Sequence, residues 1–303
     1  MSRLAIIGAG AWGAALVLQA QRAGGSVTLW ARDPARHPGL TIAATADFPT
    51  DADAILLAIP VQHMRSVLAR FRPCAPVVVC AKGIEARTLR LPLEILAELH
   101  PDTPSAVLTG PNFAAEIAAG LPAAAVIAAA DPGLRASLAA RLATANFRLY
   151  GNDDPVGAQL GGAAKNVIAI AAGIVIGAGL GENARAALIT RGLAELTACV
   201  TALGGKAETT AGLSGLGDLL LTCTGPASRN FSLGLALGRG IPIADALEAA
   251  SGVVEGVATA PALLARAAPT PMPICAAVAA LLAGQTTVQA AVAALMTRPR
   301  RDE

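Results

Sequence analysis

The chain has 303 residues, of which 54% are hydrophobic and 15% charged, and its formal net charge is +2. This balance excludes a disordered chain, and it gives no electrostatic support for a nucleic-acid partner. The five cysteines lie far apart without a CxxC pair, and the three histidines lack the spacing of metal ligands. We therefore predict no disulfide framework and no metal site, and a reducing compartment, the cytoplasm, fits best.

The first half of the chain alternates short apolar runs with helix-like stretches. The runs are continuous, which is typical of parallel strands that helices cover on both faces. This alternation predicts an α/β domain with a doubly wound, mostly parallel, Rossmann-like sheet. The predicted helices include Ala14–Ala23, Met64–Phe71 and Leu91–His100. The predicted strands are Leu4–Ile7, Ser26–Trp30, Leu40–Ala43, Ala54–Ile59, Pro76–Cys80, Ser105–Leu108, Ala123–Ala128 and Phe147–Tyr150.

The second half of the chain begins after a turn-rich stretch, Gly-Asn-Asp-Asp-Pro at 151–155. Its apolar run 167–180 is too short for the roughly 20 residues of a membrane span, so we predict a buried core helix. We expect a dinucleotide-binding domain over 1–155 and an all-α domain over 156–303, with a frayed tail after Thr297. Helices are predicted over 156–180, 183–203, 232–238, 243–250, 257–267, 273–284 and 286–297, with loops at 205–217 and 222–230.

Three glycines form a GxGxxG pattern directly after the first predicted strand. Gly8 permits a tight turn, Gly10 lets the backbone approach a pyrophosphate, and Gly13 lets the following helix pack on the strand. The helix N-terminus offers free N–H groups to the phosphates. The alternative is a plain glycine-rich turn, but the place of the pattern directly after a strand at residue 8, with a second strand that ends about 20 residues later, favours a dinucleotide site.

The residues after the second predicted strand bear on the choice between NAD and NADP, since they meet the adenosine ribose. Arg32 suits a 2′-phosphate, whereas Asp33 suits a 2′-hydroxyl. The alternative is a solvated ion pair in a loop. We favour NADP.

Only three of the 23 basic residues are lysines. A lysine ammonium can shift its pKa and exchange a proton, which arginine does not do. Lys82 follows a predicted strand at the sheet edge where ligands bind. Lys165 lies near the start of a strongly apolar helix, where desolvation lowers its pKa, unless it snorkels to solvent. Lys206 is typical of an ordinary loop lysine.

Four motifs in order, GAGAWG (8–13), AKGIE (81–85), LTGPNFA (108–114) and AKNVIA (164–169), resemble those of the bacterial NAD(P)-dependent glycerol-3-phosphate dehydrogenases. Later segments extend the resemblance over nearly the whole chain: GLGDL (215–219), LTCT (221–224), SRN (228–230) and VEG (254–256). It implies reversible reduction of dihydroxyacetone phosphate to sn-glycerol 3-phosphate, which feeds glycerophospholipid synthesis.

The resemblance also implies roles for individual positions. Lys165 would be the proton donor and acceptor, and Lys82 would contact both substrate and cofactor. From the chemistry of carbonyl reduction we expect Lys165 to be the general acid and base, Lys82 to be a second cation, and Asp218 to position Lys165 and a substrate hydroxyl. The implied substrate-binding residues are Lys82, Gly110, Asn112, Lys165, Asn166, Asp218, Ser228, Arg229 and Asn230. The implied cofactor-binding residues are Gly8, Gly10, Ala11, Trp12, Gly13, Arg32, Lys82, Ala114, Arg229, Val253 and Glu255.

Other interpretations of these residues stay open. Taken alone, Asp218 is more typical of a helix cap and SRN of a polar turn. A related β-hydroxyacid or ketopantoate-type dehydrogenase, or a nucleotide-sensing protein without catalysis, would share the fold. The chain departs from the family pattern at Ala11, Ala81 and Asn112, and in a shortened segment between Asp33 and Asp53. A helical second domain rich in small residues is compatible with a homodimer.

Overall fold

The computed structural model describes residues 1–36, 42–250 and 252–297. Within these residues, eight strands form one sheet in the order β3-β2-β1-β4-β5-β6-β7-β8. Every neighbouring pair is parallel except β6 and β7. The strands are β1 (Arg3–Ile7), β2 (Ser26–Trp30), β3 (Ala44–Thr45), β4 (Ala54–Leu57), β5 (Val77–Val79), β6 (Ser105–Thr109), β7 (Ala123–Ala128) and β8 (Phe147–Asn152).

Helices cover the sheet in the first half and make up the second half. The first-half helices are α1 (Ala11–Arg22), α2 (Val61–Leu68), α3 (Pro92–Leu99), α4 (Ala114–Ala119) and α5 (Pro132–Leu142), with a 3₁₀ turn at Pro34–Arg36. The second-half helices are α6 (Pro155–Gly177), α7 (Gly181–Ala202), α8 (Ala207–Ala211), α9 (Asp218–Cys223), α10 (Arg229–Gly238), α11 (Ile243–Glu248), α12 (Glu255–Ala267), α13 (Pro273–Leu282) and α14 (Val288–Met296), with a π-helical turn at Leu213–Gly217. The predicted fold class is confirmed.

Burial explains why the strands are continuous apolar runs. Every residue of β4 and β5 is buried, since side chains of alternate residues enter cores on opposite faces of the sheet. The strand order reverses at β1, which has β2 on one side and β4 on the other. In open α/β sheets a ligand binds beside this switch point, at the carboxyl ends of the strands.

The short connection between β2 and β4 is packed by aromatic rings. Phe48 stacks on Trp30, with ring centroids 4.7 Å apart, and on Phe71 at 4.5 Å. The indole of Trp30 also donates a hydrogen bond to the carbonyl of Ala46. Three of the eight aromatic residues of the chain therefore pack this connection against β2 and against the end of α2.

The core of the second half is α6, a helix of 23 residues. It is the one helix among the described residues that is long and apolar enough to cross a membrane, and 89% of its apolar window is buried inside the protein. Glycines let α10 pack backbone to backbone against it, because a Cβ atom on Gly173 or Gly234 would overlap a carbonyl of the other helix. The prediction of a buried core helix here is confirmed.

Two parts of the loop prediction were wrong. The segment 205–217, predicted as a loop, contains α8 and the π-helical turn, and the loop predicted at 222–230 is shorter because α9 runs to Cys223 and α10 begins at Arg229. The glycines of segment 205–217 are typical of a loop, but Gly215 has another role. A Cβ atom on Gly215 would overlap the carbonyl of Thr210, so this glycine permits close packing within a helical turn. The strand predicted at Leu40–Ala43 lies partly outside the described residues, and β3 begins at Ala44. The tail after Thr297 lies outside them.

Candidate active site

The glycine-rich turn joins β1 to α1 at the carboxyl edge of the sheet. Gly8 has a φ of +115°, and a Cβ atom there or on Gly13 would overlap a backbone carbonyl oxygen, of Ala58 and of Gly8 respectively. Gly10, by contrast, is exposed and has nothing within 4 Å of an added Cβ atom. Two glycines thus serve packing, while the third leaves open space at the N-terminus of α1, where N–H groups are available to phosphates.

Two lysines meet on one buried carboxylate at the same sheet edge. Lys82, which follows β5, donates to Asp218 Oδ2 at 2.5 Å and to the carbonyl of Gly110 at 3.0 Å. Lys165, on α6, donates to Asp218 Oδ1 at 2.5 Å. The Asp218 side chain is only 1% exposed. One carboxylate therefore joins a cation from each half of the chain.

A threonine completes the surroundings of the Lys165 ammonium. The Thr222 hydroxyl accepts a hydrogen bond from Lys165 Nζ at 2.9 Å and donates one to the Asp218 carbonyl at 2.6 Å. Sequence reasoning did not select Thr222. A usable signal was its spacing, since a residue four positions after Asp218 lies on the same face of a helix.

Two successive glycines on α6 explain how Lys165 reaches this position. A Cβ atom on Gly161 would overlap the carbonyl oxygen of Ser214. On Gly162 it would lie 3.2 Å from Lys82 Cγ and 3.4 Å from Thr109 Oγ1. The helix therefore approaches the sheet edge and the π-helical turn more closely than any larger residue would permit.

Burial among apolar side chains lowers the pKa of Lys165 from 10.5 to about 8. The negative charge of Asp218 opposes this effect, and the positive charge of Lys82 reinforces it. The ammonium is thus largely protonated at neutral pH, with a proton that is easier to release than that of an ordinary lysine.

Several buried polar atoms at this edge have no hydrogen-bond partner among the described residues. They are Thr109 Oγ1, Asn112 Oδ1 and Ser214 Oγ. Buried polar atoms are nearly always paired in folded proteins, so unpaired ones call for an explanation. Thr109 and Asn112 lie on either side of Gly110, whose carbonyl accepts from Lys82, and Ser214 lies in the π-helical turn, as expected beside a polar ligand.

The SRN segment lies at the start of α10, and two of its residues have structural partners. Ser228 Oγ accepts from the Phe231 backbone N–H and caps the helix. Asn230 donates to Asn166 Oδ1 at 3.0 Å and accepts from the Gly256 N–H at 2.9 Å, so it links α10, α6 and α12. Arg229 is exposed. The polar-turn interpretation was wrong, because Ser228 caps α10 and Arg229 and Asn230 are its first two residues. The Asn166 amide next to Lys165 is held in one orientation by Asn230.

The remaining predicted cofactor residues lie at the starts of helices or just outside the ends of regular elements. Arg32 and Val253 are exposed, Ala11 and Trp12 begin α1, and Ala114 begins α4. Burial raises the pKa of Glu255 to about 7, against the effect of the nearby Arg229 charge.

The interpretation of Asp218 as a helix cap was wrong. Asp218 is the first residue of α9, and its side chain accepts no hydrogen bond from the start of that helix. Both of its oxygens accept from lysines instead. The two ammonium groups offer a stronger, charge-assisted interaction than backbone N–H groups do.

A dinucleotide-binding sheet edge that faces a buried lysine of an all-helical half is the arrangement of two-domain NAD(P)-dependent dehydrogenases. Family models described as NAD-dependent glycerol-3-phosphate dehydrogenase N-terminus and C-terminus match residues 40–134 and 154–293. The chain belongs to this glycerol-3-phosphate dehydrogenase family.

Relatives and a solved structure agree with this assignment. The chain is 52% identical to glycerol-3-phosphate dehydrogenase [NAD(P)+] of Gluconobacter oxydans, over 98% of this chain and 97% of the relative. It is 54% identical to that of Acidiphilium cryptum, over 99% and 98%. The crystal structure of glycerol-3-phosphate dehydrogenase from Coxiella burnetii is 37% identical and superposes with a TM-score of 0.92, covering 98% of this chain and 99% of that one.

Proposed function

We propose that this chain reduces dihydroxyacetone phosphate to sn-glycerol 3-phosphate with NAD(P)H, and catalyses the reverse oxidation. Relatives that are 52% and 54% identical to this chain carry the name glycerol-3-phosphate dehydrogenase [NAD(P)+]. The observation that carries the proposal is the buried Lys165–Asp218–Lys82 cluster at the dinucleotide edge. The sn-glycerol 3-phosphate formed is a precursor for glycerophospholipid synthesis.

Lys165 is the general acid of the reduction and the general base of the oxidation. The carbonyl oxygen gains negative charge as it is reduced, and an ammonium within hydrogen-bond reach supplies both charge stabilisation and a proton. Asp218 and Thr222 orient Lys165 Nζ. Lys82 is a second cation for the developing charge. Asn166, held by Asn230, positions the substrate.

The residues of the sheet edge suit a dinucleotide. Bound NAD(P)H supplies the hydride. Gly10 leaves open space for the pyrophosphate at the start of α1, and Gly8 and Gly13 permit the tight turn and close helix packing that create this space. Ala11, Trp12, Ala114, Val253 and Glu255 line the rest of the cofactor site. Arg32, exposed after β2, favours the 2′-phosphate of NADP.

The substrate phosphate binds at the start of α10. Arg229 is exposed there and offers a planar fork of donors to phosphate oxygens. Gly110 and Asn112 contribute from the end of β6, and Ser228 and Asn230 shape the phosphate site. We also propose a domain boundary near residue 155, a cytoplasmic location and a homodimer joined through the helical half.

A single assay tests the function. Purified protein is mixed with NADPH and dihydroxyacetone phosphate, with ketopantoate or a β-keto acid in parallel, and the loss of NADPH absorbance is followed. We expect turnover with dihydroxyacetone phosphate only. Turnover confined to a keto acid, or NADPH binding without any turnover, contradicts the proposal. Comparing initial rates with NADH and NADPH tests the role of Arg32.

A further inference from the structure

The segment that leads from Lys82 to α3, residues 82–91, is held first by its own half of the chain. Gln62 donates to the carbonyl of Ile84 at 2.8 Å and accepts from the Ala86 N–H at 3.0 Å. Arg65 pairs with Glu85 at 2.9 Å. Helix α2 therefore holds the middle of segment 82–91.

The helical half holds the same segment through α12. A Cβ atom on Gly83 would lie 3.2 Å from Thr259 Oγ1, so the first turns of α12 pack beside Lys82. Near the other end of α12, Arg266 Nη1 donates to the carbonyl of Leu89 at 2.7 Å. Its Nη2 pairs with Glu94, on α3, at 2.6 Å. One helix thus contacts both ends of segment 82–91.

Leu89 adopts a backbone conformation that L side chains avoid. Its φ is +58°, a positive value that no other non-glycine residue among the described ones has. The Leu89 N–H donates to the Glu85 carbonyl at 2.9 Å, and its carbonyl accepts from Arg266. Such a conformation persists only where surrounding contacts determine it, and the guanidinium is one of those contacts.

Arg266 occupies an unfavourable place for a cation. Its side chain is 18% exposed, and its Nε is buried with no hydrogen-bond partner among the described residues. Burying an unpaired donor costs free energy. Its two contacts, with Leu89 and Glu94, must offset this cost, and both lie on the other half of the chain.

We propose that Arg266 is a positioning residue for Lys82. By fastening the end of segment 82–91 to α12, it sets where the Lys82 ammonium lies relative to Asp218. The second half of the chain then positions a cation that the first half carries. The inference rests on the proposed function, because it is measured through the reaction.

Lys165 provides a readout of where Lys82 lies. The groups that face the Lys165 ammonium are Lys82, Asp218 and the thiol of Cys223, whose pKa burial raises. The charge of Lys82 lowers the pKa of Lys165. When Lys82 moves away, this pKa rises, and the pH at which reduction is half-lost rises with it. A loss of fold stability alone does not move that pH.

The experiment compares Arg266→Met, Arg266→Lys and a matched control, Arg141→Met. Arg141 is also half-buried and pairs at 3.5 Å with Asp53, which immediately precedes β4 at the amino ends of the strands, away from Lys82. For each full-length enzyme, kcat and KM for dihydroxyacetone phosphate are measured with NADPH against pH, together with Tm.

We expect Arg266→Met to lower kcat/KM about 10- to 100-fold, as small misplacements of catalytic groups do, and to raise the half-loss pH by about 0.5 unit. Arg266→Lys keeps the charge without the fork of donors and should lie between wild type and Arg266→Met. Arg141→Met should leave both quantities unchanged, whatever its Tm.

A lower Tm with kcat/KM and half-loss pH equal to those of wild type would overturn the inference. If Arg266→Met does not fold, Arg266→Lys decides by the same criterion. A wild-type enzyme without activity contradicts the proposed function itself, and this inference falls with it.

Discussion

At the scale of single residues, the proposed chemistry depends on how one ammonium group is kept charged on an apolar, buried helix. Lys165 is 8% exposed and would lose its proton easily without a partner. Asp218 and Thr222 supply a carboxylate and a hydroxyl at 2.5 and 2.9 Å. Desolvation and the second cation outweigh this support, so the pKa falls to about 8. A proton donor with a pKa near the working pH is the most efficient one.

The pH dependence of the reaction follows from this pKa. Because the folded pKa of Lys165 lies below the usual 10.5, its ammonium persists below about pH 8 and is lost above it. Reduction should therefore be constant below about pH 8 and fall about tenfold per pH unit above it, whereas oxidation should rise towards pH 8. Initial rates in both directions across pH check this. A reductive rate that holds to the pKa of an exposed lysine, about 10.4, would contradict it.

The sequence predicted the two lysines of the candidate site but only part of their surroundings. Lysine is rare in this chain, and its place at a strand end and a helix start pointed to chemistry. The partner was harder to find, because Asp218 lies 136 residues from Lys82 and 53 from Lys165. Local propensity favoured a cap for Asp218, and only the resemblance favoured the ion pair. The fold brings the three together, and no local pattern contains that information.

At the scale of elements, the glycines of the β1–α1 turn have two different roles: Gly8 and Gly13 permit close packing, and Gly10 leaves open space for a ligand. An alanine at Gly13 would overlap the Gly8 carbonyl, while one at Gly10 would meet nothing within 4 Å. Gly10 also has a φ of −69°, which alanine adopts freely.

We therefore expect alanine to lower stability at one of these glycines and cofactor binding at the other. Gly13→Ala should lower the free energy of unfolding by about 1–3 kcal/mol, as overpacking does. Gly10→Ala should change the free energy of unfolding by no more than about 0.5 kcal/mol. It should weaken NADPH binding about tenfold or more, because the added methyl group occupies space that the pyrophosphate needs to approach the backbone. Denaturant unfolding and fluorescence titration separate the two. Unweakened NADPH binding by Gly10→Ala would contradict the placement of the pyrophosphate.

Elements with strong hydrophobic patterns were predicted well, and those shaped by tertiary contacts were not. Ser26–Trp30 and Ala123–Ala128 form strands with the predicted bounds, and their buried apolar residues, such as Leu29, Trp30, Val126 and Ile127, pack into the cores beside the sheet. The π-helical turn at Leu213–Gly217 was predicted as a loop. Its glycines indicate flexibility in sequence, whereas in the fold they permit contacts with Thr210 and α6. Such contacts cannot be inferred from neighbours in the chain.

At the scale of the whole molecule, the candidate site lies where the two halves of the chain meet. The first half supplies the dinucleotide turn and Lys82, and the second supplies Lys165, Asp218 and Thr222. Glycines at the start of α6 and contacts of α12 with segment 82–91 keep the halves close at this point. We propose that an ammonium from the helical half protonates a substrate bound at the edge of the sheet.

The most direct measurement is turnover of dihydroxyacetone phosphate by Lys165→Met, with NADPH binding measured on the same preparation. Lys206→Met is the matched control, since Lys206 is exposed and its ammonium, among the residues that the structure describes, pairs with Asp153. We predict that Lys165→Met loses about 10²- to 10⁴-fold in kcat and binds NADPH as wild type does, while Lys206→Met keeps full turnover. Undiminished turnover by a folded, NADPH-binding Lys165→Met enzyme would contradict the mechanism.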